Sequence, residues 1–500
     1  MDGLQKYIDE FLQVIKDAKT SRKDEEAGKR LAFLLTINPG TDEAARRKNF
    51  KIPNEFDIYK VPDKFKQLIV LHLQLIQAIH VNRSFNDAFN LSNELCLALV
   101  RASEQQDRWI MPALISSFSE FVTIYQIKNK RQPEDLDSFM IEDGEFDVYS
   151  SKKKSNLETV IDTLRRGFHV VFNDKNPDPK QSKRNYVYFF LGNLMKFCFK
   201  MGKLDFAKSI MKTVEASKSN LPSMSQNVAT RKSAITYLYY MSIIALDNGD
   251  YATSEAKLSE AFELIALYNV KTRCSKQVQR LLLYLIPLRL YLYGKLPNDY
   301  IKTSSYDEGK RAAVEKDKLW DRFPLLSLLY KDSFIPAIKQ GNLLKYNSLI
   351  ERSQSLLLNT HLFILMQLIT QLVQLQLIKK TWQICQECET NHIVSLSAFQ
   401  MSFVYSSYYD ESYYGPGCEG QDSFKIESFI NSISILEVET IIANLIGQGK
   451  INAYISHSQQ CIVFSKTNPF PGFGLGKKVG GVATTKNVNA SSERKTIGKK

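Results

Sequence analysis

The stretch GKINAYISHSQQCIVFSKTNPF, residues 449–470, decides how the C-terminal part of this chain folds. Apolar residues alternate at Ile451, Ala453 and Ile455, a polar turn follows, and a second short apolar run begins at Cys461. This pattern is typical of a β-hairpin. Because a lone hairpin is only marginally stable in water, we expect it to pack on helices through Ile451, Ile455, Ile462 and Phe464.

The sequence before the hairpin predicts three further helices, over 379–389, 396–405 and 434–447. Ser434 and Glu437 fit a capping box at the start of the last helix, and Gly449 fits the stop that follows it. Three helices and a two-stranded wing predict a winged-helix domain over 379–470. A tyrosine-rich, acidic stretch at 406–423 is predicted to be an insert within it.

Earlier in the chain, amphipathic helical segments alternate with short breaks. A turn residue or polar pair, a large apolar residue and, three positions further on, a residue that faces the apolar one recur at four joints: Arg83-Ser84-Phe85, Gly202-Lys203-Leu204, Gly249-Asp250-Tyr251 and Gly341-Asn342-Leu343. The segments 188–217 and 238–265 resemble degenerate tetratricopeptide repeats (TPRs), which bury their apolar faces only by stacking.

The predicted fold is therefore mainly α. We expect a TPR-like, right-handed helical solenoid over 56–378, followed by the winged helix. Residues 1–55 have a weak helical pattern and predict an N-terminal helical arm. Residues 471–500 are rich in glycine, serine and lysine and predict a disordered basic tail.

Composition points to an intracellular protein with acidic partners. The net charge of +13 favours nucleic acid, acidic protein segments or anionic membrane, without choosing among them. The seven cysteines are scattered and no secretory leader is evident, so we expect a reduced compartment. The segment 361–378 is apolar enough for a membrane span, but glutamines at 367, 371 and 374 form a polar stripe, so we expect no membrane contact.

No set of residues predicts catalysis. Cys385 and Cys388 with His392 have a spacing that could bind zinc, but Trp382, Cys385 and Cys388 share one predicted helix face, which favours buried cysteines. Phosphate-binding loops and nucleophile elbows are absent from the sequence. We therefore expect a protein that is not an enzyme and that needs no cofactor and no metal.

The distribution of charge around the wing predicts that any nucleic acid is bound through its phosphates and not through its base sequence. On the last predicted helix, an inward set includes Leu436, Val438, Ile442 and Leu445, and the outward set is Glu437, Thr440, Asn444 and Gln448. Such a helix lacks the cations that enter a DNA major groove. The predicted nucleic-acid-binding residues lie instead in the wing and tail: Lys450, His457, Lys466, Lys477 and Lys478. A merely solvated tail is the open alternative.

A family resemblance accompanies these patterns. EVETIIANLIGQGKINAYISHSQQCIVFSKTNPFP (437–471), RLLLYLIPLRLYLYGKLP (280–297) and FIPAIKQGNLLKYNSLIE (334–351) resemble the PCI domain-containing protein 2 family, a signalosome-subunit-12-like branch associated with the TREX-2 complex. The resemblance covers roughly 60–471. It implies a PCI domain, made of helical repeats and a winged helix.

The same resemblance implies a non-enzymatic adaptor in transcription-coupled mRNA export. Its expected partners are a Sac3- or GANP-type scaffold subunit, a small acidic protein of the Sem1 or Dss1 type, and RNA or DNA bound without sequence specificity. The expected location is the nucleus, with the cytoplasm open as a second. The alternative is a purely structural PCI subunit of a signalosome- or proteasome-lid-like complex, without nucleic-acid contact.

Overall fold

The computed structural model describes residues 3–18, 24–38, 40, 47–131, 155–176, 178, 181–217, 221–268, 275–294, 300–301, 317–388, 392–409 and 428–471. Most of the predicted insert 406–423 and nearly all of the predicted tail 471–500, including Lys477 and Lys478, lie outside these residues.

The described chain is mainly helical, as predicted. In chain order its α-helices are α1 (Gly3–Ala18), α2 (Asp24–Leu35), α3 (Asp63–His80), α4 (Phe85–Ser103), α5 (Met111–Arg131), α6 (Asn156–Phe172), α7 (Val187–Met201), α8 (Leu204–Ala216), α9 (Val228–Asp247), α10 (Tyr251–Ala266), α11 (Ser275–Tyr293), α12 (Leu319–Arg322), α13 (Pro324–Leu326), α14 (Ile335–Gln340), α15 (Leu343–Arg352), α16 (Gln354–Asn359), α17 (Phe363–Cys388), α18 (Leu396–Tyr408) and α19 (Ile435–Gly447).

Short strands and other helical turns complete the described elements. The strands are β1 (Tyr300–Ile301), β2 (Asp317–Lys318), β3 (Ile393–Ser395), β4 (Ala453–Ser456) and β5 (Cys461–Phe464). A π-helix spans Ser327–Phe334, and 3-10 turns span Arg108–Ile110, Lys183–Tyr186 and Ile430–Ser432. The chain divides into two compact units: Met1–Asn248 with Ala256–Arg273, and Gly249–Glu255 with Cys274–Lys500.

All four predicted joints separate consecutive helices. Gly202, Gly249 and Gly341 have φ between 71° and 77°, and Arg83 has a φ of 54°. Glycine adopts this left-handed conformation without a steric penalty, which explains why three of the joints use it. The residues three positions after the large apolar residue of each joint are buried: Ala88, Ala207, Ser254 and Tyr346.

The first unit is held together by aromatic contacts between successive helices. The rings of Phe89 and Phe121 lie 5.3 Å apart between α4 and α5, and those of Tyr125 and Phe197 lie 5.7 Å apart between α5 and α7. Helices α7 and α9 approach closely at Gly192, where an added Cβ would stand 2.3 Å from the Ser233 carbonyl oxygen. Stacked helices thus share one continuous core.

The N-terminal segment contains the helices α1 and α2, and its side chains enter this core. The ring of Phe11 on α1 lies 6.4 Å from that of Phe65 on α3. The Tyr7 hydroxyl lies 2.9 Å from Nδ1 of the fully buried His72, whose Nε2 lies 3.2 Å from the Thr36 carbonyl oxygen. A polar network therefore joins the arm to α3.

Within the described residues, one helical stretch is long and apolar enough to cross a membrane, namely Arg108–Arg131. Just over half of its most apolar window, 56%, is buried inside the fold, as is usual for a core helix. The segment 361–378, which raised this question in the sequence, lies largely in α17. There Gln367 is exposed while Leu365, Met366 and Ile369 are buried.

The second unit ends in a three-stranded antiparallel sheet, in the order β3-β5-β4, packed on helices. Ile451, Ile462 and Phe464 are buried as predicted, and Ile455 is half-buried. The Phe464 ring lies 6.0 Å from Trp382 on α17 and 6.1 Å from Phe399 on α18. Helices α17, α18 and α19 with this sheet fit a winged helix.

The boundaries predicted for this unit are wrong at two places, and one strand was missed. The segments 361–378 and 379–389 form the single helix α17, because Lys379-Lys380-Thr381 contains no residue that ends a helix. The strand β3 was not predicted. Ser406, the predicted first residue of the insert, is a buried part of α18: its Oγ donates to the Gly341 carbonyl at 2.7 Å and accepts from the Leu343 N–H at 2.8 Å.

Candidate nucleic-acid interface

The wing is a regular hairpin whose base is clamped by the following chain. Strand β4 pairs with β5 from Ala453–Phe464 to Ser456–Cys461. At the base, the Asn452 N–H donates to the Pro469 carbonyl at 2.8 Å, and the Asn452 side-chain amide donates to the Asn468 carbonyl at 2.9 Å. The hairpin is therefore fixed at the end where the predicted lysines lie.

Lys450 and Lys466 flank this base. Lys450 follows the stop of α19, where its N–H donates to the Leu445 carbonyl at 3.0 Å. Its side chain is half-buried, and burial lowers the pKa of the ammonium below its ordinary value. Lys466, just after β5, is exposed. Lys466 is thus the more accessible cation of the pair.

His457 lies at the opposite end of the hairpin, since the four-residue strands, roughly 13 Å long, separate tip from base. Its Nδ1 lies 2.9 Å from a carboxylate oxygen of Glu439 on α19. The His457 side chain is 74% exposed, whereas that of Glu439 is only 20% exposed. A carboxylate accepts hydrogen bonds, so Nδ1 donates to it and Nε2 is the nitrogen left for an external partner.

The exposed face of α19 is polar and acidic, as predicted. Glu437, Thr440, Asn444 and Gln448 are exposed, while Val438, Ile442 and Leu445 are buried. The inward placement of Leu436 is wrong: it is 62% exposed, because positions 436, 440 and 444 follow one another at helical spacing on the same outer face. This face offers an apolar residue and carboxylates, and no described cation.

The outer face of the sheet carries an apolar row that the sequence did not reveal. In the strand register, Ile393 of β3 and Tyr454 of β4 both pair with Val463 of β5, so the three side chains lie side by side on one face. Ile393 is 54% exposed and Tyr454 is 64% exposed. We name Ile393, Val463 and Tyr454 the outer apolar row.

The described residues contain no group of three or more histidine, cysteine or acidic side chains that could hold a metal ion. Cys385 is half-buried on α17, and the side chain of Cys388 lies outside the description. The Trp382 ring, on the same helix, contacts Phe464 and Phe470 of the winged-helix core. The CxxC segment therefore adjoins a hydrophobic core.

Comparison with known proteins extends the resemblance seen in the sequence. Residues 345–466 match the PCI domain. A protein named CSN12 homolog from Debaryomyces hansenii is 35% identical over 451 residues, covering 89% of this chain and 95% of that protein. PCI domain-containing protein 2 from Danio rerio is 23% identical, and Cop9 signalosome complex subunit 12 from Saccharomyces cerevisiae is 22% identical. Each of these two matches covers 93% of this chain and 97% of the relative. The match to the Debaryomyces protein is longer than the predicted 60–471.

Proposed function

Since the chain belongs to the family of CSN12 homologues and PCI domain-containing protein 2, we propose that it is a non-enzymatic adaptor subunit of a TREX-2-like nuclear complex. In this role it docks on a Sac3- or GANP-type scaffold subunit and helps to hold RNA or DNA during transcription-coupled mRNA export. A small acidic protein of the Sem1 or Dss1 type is the third proposed partner, and the net charge of +13 suits it.

The observation that carries this proposal is the outer apolar row beside a basic hairpin base. Exposed apolar side chains that adjoin one another are typical of protein–protein contact sites. A partner that covers Ile393 and Tyr454 removes from water two large side chains that are more than half exposed in the free protein. The winged helix therefore offers a docking surface for the scaffold subunit.

In this proposal, the phosphate groups of the nucleic acid contact the cations next to that surface. Lys466 is exposed at the base of the wing, and Lys477 and Lys478 follow it in the sequence. Because Lys450 is half-buried and His457 contacts Glu439, these two contribute less on their own. The expected binding is sensitive to salt and indifferent to base sequence, with the scaffold subunit supplying further contacts.

The test is binding of single-stranded RNA to the purified chain, with and without the scaffold subunit, across a salt series. We expect a Lys466→Gln variant to weaken binding and to reduce the salt slope by roughly 0.7, the value for one lost phosphate contact on a single strand. Lys331→Gln is the matched control, because Lys331 is also exposed but lies on the π-helix. Equal salt slopes for the two variants would show that Lys466 does not contact the RNA phosphates.

A second candidate is a purely structural subunit, as in signalosome- or proteasome-lid-like complexes. The name of the Saccharomyces relative supports it, and so does the Glu439 carboxylate beside His457. This candidate predicts assembly with other subunits but no retention of RNA at any salt concentration. The RNA measurement on the assembled complex therefore separates the two functions.

A further inference from the structure

The first unit contains a large groove that the proposed adaptor function does not use. Its volume is about 1240 Å³, and its walls come from α2, α5, α7 and α9 with the 3-10 turn Arg108–Ile110. Pockets for small ligands usually measure about 300–1,000 Å³, so this groove is larger than one small molecule requires. Its size suits a segment of polypeptide.

Four cationic side chains from four different elements line the groove. They are Lys29 on α2, Arg108 in the 3-10 turn, Lys196 on α7 and Lys232 on α9. Lys196 and Lys232 are exposed. Because cations from separate helices converge on one concavity, the local potential favours an anionic ligand.

The two carboxylates in the lining have partners within the protein. Glu120 accepts hydrogen bonds from the Thr36 hydroxyl and, at 3.2 Å, from the Ile37 N–H. Glu25 lies 3.6 Å from Lys29, one turn along α2. The charges of Glu25 and Lys29 thus offset each other, and the remaining charged residues of the lining are three cations and one carboxylate, Glu120.

The uncharged lining can hydrogen-bond a peptide backbone. Side chains of Ser119, Asn193 and Ser233 line the groove from three helices and include hydroxyls and an amide that both donate and accept. The aromatic side chains of the described lining, Tyr186 and Phe189, are each only 8% exposed. Single-stranded nucleic acid usually requires exposed aromatic rings on which its bases stack. The lining therefore favours a peptide over RNA.

We propose that this groove binds an extended, acidic peptide segment of a partner protein. Aspartate and glutamate side chains of the segment face Lys196 and Lys232, and its backbone bonds to the hydroxyl and amide groups. The inference rests on residues of the first unit alone, and so it does not depend on the docking surface of the winged helix.

The test selects displayed random 12-residue peptides on the immobilised full-length chain and measures the affinity of those recovered. We expect recovered sequences to be enriched in aspartate and glutamate. A Lys196→Glu, Lys232→Glu variant should bind them at least about tenfold more weakly. In the control variant Lys64→Glu, Lys212→Glu, which has the same net charge but no change in the groove, the affinity should stay within about twofold.

A neutral variant checks the location independently of charge. Ser119→Trp places a bulky side chain at an exposed position of the lining, and we expect it to weaken the same peptides without lowering the thermal unfolding temperature. The proposal is wrong if acidic peptides are not enriched, or if both charge-reversal pairs lose affinity equally. It is also wrong if single-stranded RNA, and no peptide, binds in a manner that depends on Lys196 and Lys232.

Discussion

The imidazole Nδ1 of His457, at the tip of the wing, lies 2.9 Å from the carboxylate of Glu439 on α19. The two residues are 18 positions apart in sequence, and their contact joins the wing to the last helix. It also places a negative charge beside a residue that was predicted to contact phosphate. The carboxylate therefore limits how strongly the wing tip attracts nucleic acid.

Replacement of Glu439 by glutamine should strengthen binding of RNA to the wing. The substitution removes a charge that repels phosphate, and we expect an increase of about two- to fivefold in affinity at low salt. Fluorescence anisotropy with a labelled single strand measures it. Glu437→Gln is the matched control. Glu437 is exposed on the same helix, and it forms no salt bridge with any cation that the structure describes. An equal gain in both variants would reflect net charge alone.

Stability of the first unit should fall at acidic pH because of His72. Complete burial, helped by the charge of nearby Arg47 and opposed by the hydrogen bond to the Thr36 carbonyl, lowers the pKa of His72 to about 4. In the unfolded chain the pKa is near 6.5, so the unfolded state binds the proton first as pH falls. This contribution to stability is complete above about pH 6.5 and is lost between there and about pH 4, by roughly 3 kcal/mol.

Chemical unfolding of the full chain from pH 7 to pH 4.5 measures this effect. A His72→Gln variant should be less stable at pH 7 but should lose less of its stability on acidification. His80→Gln is the control, because His80 lies on the same helix but is exposed. The account of His72 fails if the two variants show the same dependence on pH.

Removal of the Ser406 hydroxyl should destabilise the second unit. Its Oγ links the Gly341 carbonyl and the Leu343 N–H, and all of these groups are buried or at a buried joint. Ser406→Ala leaves both backbone groups without this partner, at a cost of about 1–3 kcal/mol. Ser402→Ala, one turn earlier on α18, loses only a bond to its own helix and should cost under about 0.5 kcal/mol. Thermal unfolding of the two variants compares them.

Local chemistry was sufficient to predict much of this fold. The joints at Gly202, Gly249 and Gly341 were recognisable because the left-handed backbone conformation at the end of a helix is usually adopted by glycine. The hairpin was recognisable from alternation, and the start of α19 from Ser434, whose Oγ accepts from the Glu437 N–H at 3.1 Å. Each of these signals lies within a few residues.

The features that were missed depend on contacts between distant segments. Strand β3 has three residues, too few for alternation to be seen, and it becomes a strand only by pairing with β5 about 70 positions later. The outer apolar row requires that register, and the contact of Glu439 with His457 requires the packing of wing on helix. The candidate site was therefore predicted as a list of cations, without the carboxylate and the apolar face that surround them.

The most direct test of the adaptor role asks which subunits accompany the chain when the outer apolar row is changed. The full-length protein and an Ile393→Asp, Tyr454→Asp variant are purified from their native cells and the bound subunits identified by mass spectrometry. Ile384→Asp, which changes an equally exposed apolar residue on α17, is the control. We predict that a large scaffold subunit accompanies the wild type and the control but is lost from the double variant, which remains folded. Unchanged subunits in the folded double variant would contradict the docking surface proposed here.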